Sequence, residues 1–406
     1  MIENLRAYRV DKVLIFFIVA STNFFQYAGV DLKIFQFIHL AIFASLIYVS
    51  LFSKRAINPT YETTPIKLML ILPLLSMWSC NVINGQSYIL SLIVYRMHLG
   101  WLLFFYLSKK SIPLGKIYKT VFVVGLIYAI ITLTQQITYP FAPFGERTVG
   151  TAYTDQIAGG VERRMGFYRF MVGGLYYGVF AFFFVLDSTH IRKRKMLLIL
   201  LALGIVACGN RQTMFSVFVS MVYYYLFSRN VKNKSLIFIG IIIVSLFVYL
   251  FADAIFGRLM NVSSDMEDGR MPSYLFYWGQ IIQSPLTILF GNGLPNAASE
   301  YGMRIDRFEN HSVTPSDIGI VGTMYYWGVL YCLVYFFYAV KWLFNKNLST
   351  VYKAIILSFL ICSPIGAFLW EINGFMLQGL LFYLCNADVY YNKYIKNDLN
   401  NVTNRL

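Results

Sequence analysis

The residues best suited to chemistry are arginines and one histidine, gathered in two polar stretches of an otherwise apolar chain. The longer stretch, 253–317, carries Arg258, Arg270, Arg304 and Arg307, with Asp268 beside Arg270 and Glu309 close to His311. The shorter, 139–168, carries Arg147, Glu162, Arg163 and Arg164, with Arg169 just beyond it. Arg211 stands apart, in the turn CGNRQT between two short apolar runs. A guanidinium is a planar fork that grips phosphate or carboxylate with two parallel hydrogen bonds. Such a set suits a lipid-linked pyrophosphate donor, whose leaving group develops negative charge that fixed cations stabilise. The plain alternative is that these arginines only pair with nearby acids. Transfer from such a donor also needs a base within hydrogen-bond reach of the attacking hydroxyl. His311 is the best base by intrinsic pKa, about 6.5; Glu309, Glu162 and Asp268 are the other candidates.

Several chemistries lack their residues. The chain has no Walker A loop, no GxGxxG and no HExxH. Its four histidines, His39, His98, His190 and His311, fall in different segments, which opposes a metal cluster. Its five cysteines, Cys80, Cys208, Cys332, Cys362 and Cys385, are single residues in apolar runs, so packing is expected of them. The expectation is therefore chemistry without metal, cofactor or ATP.

The elements that must position these groups are membrane helices. The 406 residues are 58% hydrophobic, 18% aromatic and only 13% charged, and the apolar runs are continuous rather than alternating, which opposes a β-barrel. The reading is an all-α polytopic integral membrane protein, a single membrane domain over 1–406. Twelve spans are expected, near 12–29, 34–52, 67–83, 88–107, 117–138, 169–187, 195–209, 212–228, 235–252, 318–344, 351–370 and 374–391. The basic start MIENLRAYRVDK leads into further spans, so the first helix is expected to be retained. Lysine and arginine concentrate in the segments that share a side with both termini, which assigns the termini to the cytoplasm. A net charge of +15 divided into short blocks between spans speaks against nucleic acid. On the outer side the cations are Lys33 and otherwise arginines: Arg147, Arg163, Arg164, Arg169, Arg211, Arg258, Arg270, Arg304 and Arg307.

Two outer loops are long. The first, 139–168, has glycines, prolines and no apolar run, and is expected to be irregular or partly helical. In the second, 253–317, the stretch 270–284 places Met271, Tyr274, Leu275, Trp278, Ile281 and Ile282 at helical spacing. This amphipathic helix is expected along the membrane interface, with Asp268 and Gly269 at its cap and Arg270 opening it. GNGLPN at 291–296 is a turn in which glycine permits close packing. Arg96 and His98 lie mid-span, where a packed core histidine is the favoured reading of His98. No internal repeat supports a transporter.

Taken in order, GNRQTM between paired short runs, then PLTILFGNGLPN, then NHSVTPSDIGIVGTMYYWGVLYCLVYF resemble the O-antigen polymerase and O-antigen ligase superfamily of bacterial inner-membrane glycosyltransferases. RRMGFYRFMVGGLYYGVF is similar to the segment that closes that family's first large outer loop. The resemblance covers roughly 140–345 and implies a GT-C-like helical fold. Arg211 and Arg270 match arginines implied to bind the pyrophosphate, Arg164 the first-loop arginine, and His311 the histidine implied to activate the acceptor hydroxyl. Asn210 departs from the Ser or Thr often found before the turn arginine, and Ser312 from the Asn that often follows the histidine. Polymerases of this type can carry arginine with glycine eleven residues on, as do Arg163 with Gly174 and Arg258 with Gly269. The implied activity is polymerisation of undecaprenyl-pyrophosphate-linked repeat units at the periplasmic face, with Arg147, Arg163, Arg164, Arg169, Arg258, Asp268 and Arg304 around the glycan and pyrophosphate. The implied partners are lipid-linked donor and acceptor, membrane lipids and a chain-length regulator. A ligase that moves polymer to lipid A-core, and a flippase, are the alternatives.

Overall fold

The structure is a computed structural model. It describes residues 8–22, 32–139, 141, 144, 146–147, 163–164, 167–168, 170–188, 191–228, 270–309, 315–364 and 372–395. The expected span at 235–252 lies outside the described residues, as do Arg169, Arg258, Asp268 and His311. What is described is mostly helical. Four helical segments, Thr64–Asn84, Tyr88–Lys110, Leu114–Thr138 and Gly319–Phe344, are long and apolar enough to cross a membrane, consistent with an all-α membrane protein.

The described residues fall into two compact units. One is drawn from Met1–Pro59, Leu102–Val219 and Met376–Asp388. It contains α1 (Lys12–Ser21), α2 (Leu32–Phe52), α5 (Leu103–Lys110), α6 (Leu114–Thr138), α7 (Leu175–Asp187), α8 (Arg194–Ala207) and the start of α9 (Arg211–Phe227). Its centre is α6 packed on α7 and α8. Small residues allow that approach. A Cβ added at Gly204 would lie 2.7 Å from the Ala129 Cβ, and one at Gly125 would lie 2.6 Å from the Ala181 Cβ. Close backbone contact of this kind is how helices pack in lipid, where apolar burial alone gives little drive.

The second unit is drawn from Thr60–Trp101, Ser220–Phe375 and Val389–Leu406. It holds α3 (Thr64–Asn84), α4 (Tyr88–Tyr95), α10 (Arg270–Ile281), α11 (Pro285–Phe290), α12 (Glu300–Glu309), α13 (Gly319–Phe344) and α14 (Thr350–Cys362). A last helix, α15 (Ile372–Tyr390), contributes to both units. The helix α13 packs on α3, α10, α11 and α14. It is broken at Gly328, whose φ of 78° and ψ of 170° are not helical. The carbonyls near the break are recovered by the glycine loop after α11. The Asn292 amide donates to the Tyr325 oxygen at 2.6 Å, the Gly293 amide to the Tyr326 oxygen at 3.0 Å, and the Ser76 hydroxyl to the same Tyr326 oxygen at 2.6 Å. Non-helical backbone inside a membrane protein persists where protein partners satisfy it in this way.

The span expected at 88–107 is present as Tyr88–Lys110, with a 3-10 segment, Arg96–Leu102, between α4 and α5. Three sequence expectations change. The span expected at 169–187 starts only at Leu175, since Phe170–Met171 is a strand. The first outer loop contains short antiparallel ladders where irregular or helical structure was expected: β1 (Glu146–Arg147) with β4 (Phe170–Met171), and β2 (Arg163–Arg164) with β3 (Phe167–Tyr168). The expected helix 270–284 ends at Ile281, because Ser284 and Thr287 form a capping box that starts α11, with Pro285 in its first turn.

Candidate functional site

In the first unit the site-bearing segments gather at the end of α6 that the charge pattern assigns to the outside. The last turn of α6 carries two glutamines. Gln135 is buried. Its Oε1 accepts from the Phe144 amide at 2.7 Å and its Nε2 donates to the Phe144 carbonyl at 3.1 Å. Gln136 does the same for Tyr168, at 2.7 Å in each direction. A primary amide offers a donor and an acceptor side by side, so each glutamine pairs with loop backbone much as a neighbouring strand would. The Tyr139 ring stacks on Tyr168 with centroids 3.9 Å apart and planes at 21°. These anchors hold both arms of the first outer loop. In the ladders Arg147 stands opposite Phe170, Arg163 opposite Tyr168 and Arg164 opposite Phe167.

Gln136 makes one more bond. Its Nε2 also donates to the Ala207 carbonyl, at 3.3 Å. Ala207 ends α8, and the turn that follows leads to Arg211, the first residue of α9. Asn210 caps that helix, accepting from the Thr213 amide at 3.1 Å. The strand paired with Arg163–Arg164 and the end of α8, from which the turn to Arg211 leads, therefore share one side chain.

In the second unit one candidate, Arg304, lies at the turn Asn84–Ser87, which is tied to the loop 291–299. Gln86 is 1% exposed. Its Oε1 accepts from the Asn296 amide (2.9 Å) and the Ser299 hydroxyl (2.7 Å), and its Nε2 donates to the Ser91 hydroxyl (3.0 Å) and the Leu294 carbonyl (3.1 Å). Asn84 reaches both the carbonyl and the side chain of Asn292 at 3.3 Å. The Tyr301 hydroxyl donates to the Gly293 carbonyl at 3.0 Å and lies 2.8 Å from the Tyr325 hydroxyl. Burial first, and then the adjacent Tyr325, pushes the Tyr301 phenol well above its ordinary pKa, so it stays a protonated donor.

Arg304, on exposed α12, donates to the Asn84 Oδ1 at 2.7 Å and sits 5.7 Å from the Tyr301 ring centre. Arg270 opens α10, as the sequence indicated, and Glu309 closes α12. The helix α10 buries Ser273, Tyr277 and Ile281 and exposes Met271, Leu275, Trp278 and Ile282. Its exposed face is thus apolar, which fits a helix lying against lipid. Among the described residues no three His, Cys, Asp or Glu side chains converge as metal ligands do.

His98 is a core residue, the reading the sequence favoured. It is fully buried between Tyr95, Trp327, Tyr331 and Phe375, with ring centres 4.1 to 6.0 Å away. Among the described residues neither ring nitrogen has a hydrogen-bond partner within ordinary geometry. It is a core histidine, but not a satisfied one.

The sequence reading passed over Gln135, Gln136, Asn84 and Gln86. The available signal was the pair of amides ending an apolar run and the polar turn NGQS between two spans. No protein-family model matches the chain, and comparison with curated proteins returns no match.

Proposed function

We propose that the protein is a membrane glycosyltransferase that polymerises undecaprenyl-pyrophosphate-linked oligosaccharides into O-antigen or a related surface polysaccharide on the periplasmic side of the bacterial inner membrane. A hydroxyl of the acceptor repeat unit attacks the anomeric carbon of the donor. The new glycosidic C–O bond forms as the bond to pyrophosphate breaks. Undecaprenyl pyrophosphate departs with the electron pair, and the hydroxyl proton passes to His311 or Glu309. Arg211 and Arg270, with Arg163 and Arg164, balance the charge that grows on the leaving oxygens. Arg147, Arg169, Arg258, Asp268 and Arg304 line the path of glycan and phosphate.

The observation that supports this reading best is the anchoring of the first outer loop. A loop that only linked two spans would need no such hold, whereas groups that stabilise a transition state must be fixed before the reaction. The test is reconstitution in vesicles with purified lipid-linked repeat units as both donor and acceptor. A ladder of lengthened glycans is expected, together with free undecaprenyl pyrophosphate. Arg270→Ala and Arg211→Ala should each lower the rate by about 100-fold or more, as loss of one charge-stabilising donor does. No ladder from the unmodified protein overturns the reading, and transfer only to added lipid A-core makes it a ligase.

A further inference from the structure

We propose that Gln136 is a positioning residue that joins the β2–β3 hairpin, which carries Arg163 and Arg164, and the turn before Arg211 into a single pyrophosphate-binding unit. This rests on the glycosyltransferase reading above. Its amide has two N–H groups and one carbonyl oxygen, and all are used: the Tyr168 carbonyl and amide at 2.7 Å each, and the Ala207 carbonyl at 3.3 Å. The hairpin strand at Tyr168 therefore cannot turn or slide away from α8 without breaking a bond. Gln135, one residue earlier, holds Phe144 alone. Gln136 is hydrogen-bonded to both segments.

The backbone consequence is direct. Arg163 is the ladder partner of Tyr168, so Gln136 bonds the residue across from it. Arg211 begins α9 just beyond the other end of the bridge, with Asn210 fixing that helix start. A pyrophosphate has two phosphoryl groups and is best held by donors from two segments whose separation does not fluctuate. One shared side chain sets that separation, and positioning of this kind is worth most when it is fixed in advance.

The experiment uses the full chain in lipid nanodiscs, with inorganic pyrophosphate as the probe. Gln136→Met keeps the volume and removes all three bonds. Gln136→Glu keeps an acceptor for the Tyr168 amide but turns carboxylate oxygens toward two carbonyls. Gln135→Ala is the local control. Hydrogen exchange is followed in peptides that contain Tyr168 and in peptides that span 208–213. Pyrophosphate affinity is measured for Arg163→Ala, Arg211→Ala and the pair, each with and without Gln136→Met. With Gln136 present, the paired loss should differ from the product of the single losses by about threefold or more, as for groups sharing one network. With Gln136→Met the losses should multiply, and exchange should quicken in both peptides. Gln135→Ala should leave the 208–213 peptide unchanged, and Gln136→Glu should behave like Gln136→Met there.

If the unmodified protein binds pyrophosphate but Gln136→Met leaves 208–213 protected, or leaves the coupling between the arginines intact, the positioning role is wrong and the functional reading stands. If the unmodified protein binds no pyrophosphate, the functional reading fails and this inference fails with it.

Discussion

Replacing Gln86 by methionine should destabilise the second unit while leaving its core volume nearly unchanged. The size of the effect follows from what each partner keeps. The Ser299 hydroxyl also donates to the Asn296 carbonyl at 2.7 Å and accepts from the Gly302 amide at 2.9 Å, so it retains partners. Ser91 loses one acceptance but keeps its side-chain contact with Cys80. The Asn296 amide and the Leu294 carbonyl lose the Gln86 bonds that hold them. A buried backbone group left unpaired costs about 1–3 kcal/mol. Leu294 and Asn296 are themselves half-buried, so the two together give about 2 kcal/mol, the low end of that range, against a typical total stability of about 5–15 kcal/mol. The assay is equilibrium unfolding in mixed micelles by titration with a denaturing detergent, read by tryptophan fluorescence. Hydrogen exchange over 294–302 locates the change. Ser299→Ala is the comparison and should cost less, because the Gln86 amide keeps its other bonds. A loss under about 1 kcal/mol for Gln86→Met would show that water takes over those groups, and that this turn is not the dry anchor its burial implies.

Three further outcomes follow from the same unit. Gly328→Ala should lower the thermal midpoint and the yield of folded protein: φ is 78°, the new Cβ would meet the Leu289 carbonyl and lie 2.5 Å from the Phe290 nitrogen, and a left-handed non-glycine residue costs about 1–3 kcal/mol before any clash. His98→Phe should be neutral or stabilising in a thermal melt, because it replaces two unpartnered ring nitrogens with carbon; a marked fall in the midpoint would reveal a partner. Tyr301 has its folded pKa raised, so its contribution is complete below the ordinary phenol value of about 10 and is lost as pH climbs above it. Tyr301→Phe should therefore flatten the decline in stability between about pH 10 and 12, and an unchanged slope would refute the assignment.

The apolar runs made most of the helices legible. The run expected at 117–138 is α6 at Leu114–Thr138, and that at 318–344 is α13 at Gly319–Phe344. Arg270 is the first residue of its helix, as the sequence indicated, whereas Arg211, read as a turn residue, is the first residue of α9. The parts that were not legible depend on distant partners. Gln86 reads as an ordinary turn residue because Asn296 and Ser299 lie more than two hundred positions away in sequence. Gly328 sits in the run YYWGVLYC, where a single glycine is compatible with an unbroken helix. Its break becomes visible only once the 289–293 loop is seen to cross there. The ladders of the first loop are two residues long, too short for an alternating pattern to register. The hairpin β2–β3 did leave a trace, since only Met165 and Gly166 separate the strands in sequence, and glycine in a two-residue connection favours a tight hairpin.

The two ends of the first unit use their polar groups differently, and the difference bears on what the outer arginines are for. At the end assigned to the cytoplasm, cations finish helices. Lys109 donates to the Ser50 and Ser53 carbonyls at the end of α2, at 2.7 and 3.2 Å, and Arg194 donates to the Val185 carbonyl at the end of α7, at 3.2 Å. These are the unpaired carbonyls and partial negative charge of helix C-termini, which a cation complements. At the other end the described anchors of the loop are neutral amides, Gln135 and Gln136. An amide can hold a backbone segment from both sides and does not draw a phosphate away from a neighbour. An arginine spent on loop carbonyls would lose part of its fork for a ligand. If structure were the only demand, cations could have filled both roles. Fixing the loop with Gln135 and Gln136 needs no cation for that task, which suits the proposed demand of a pyrophosphate leaving group for positive charge.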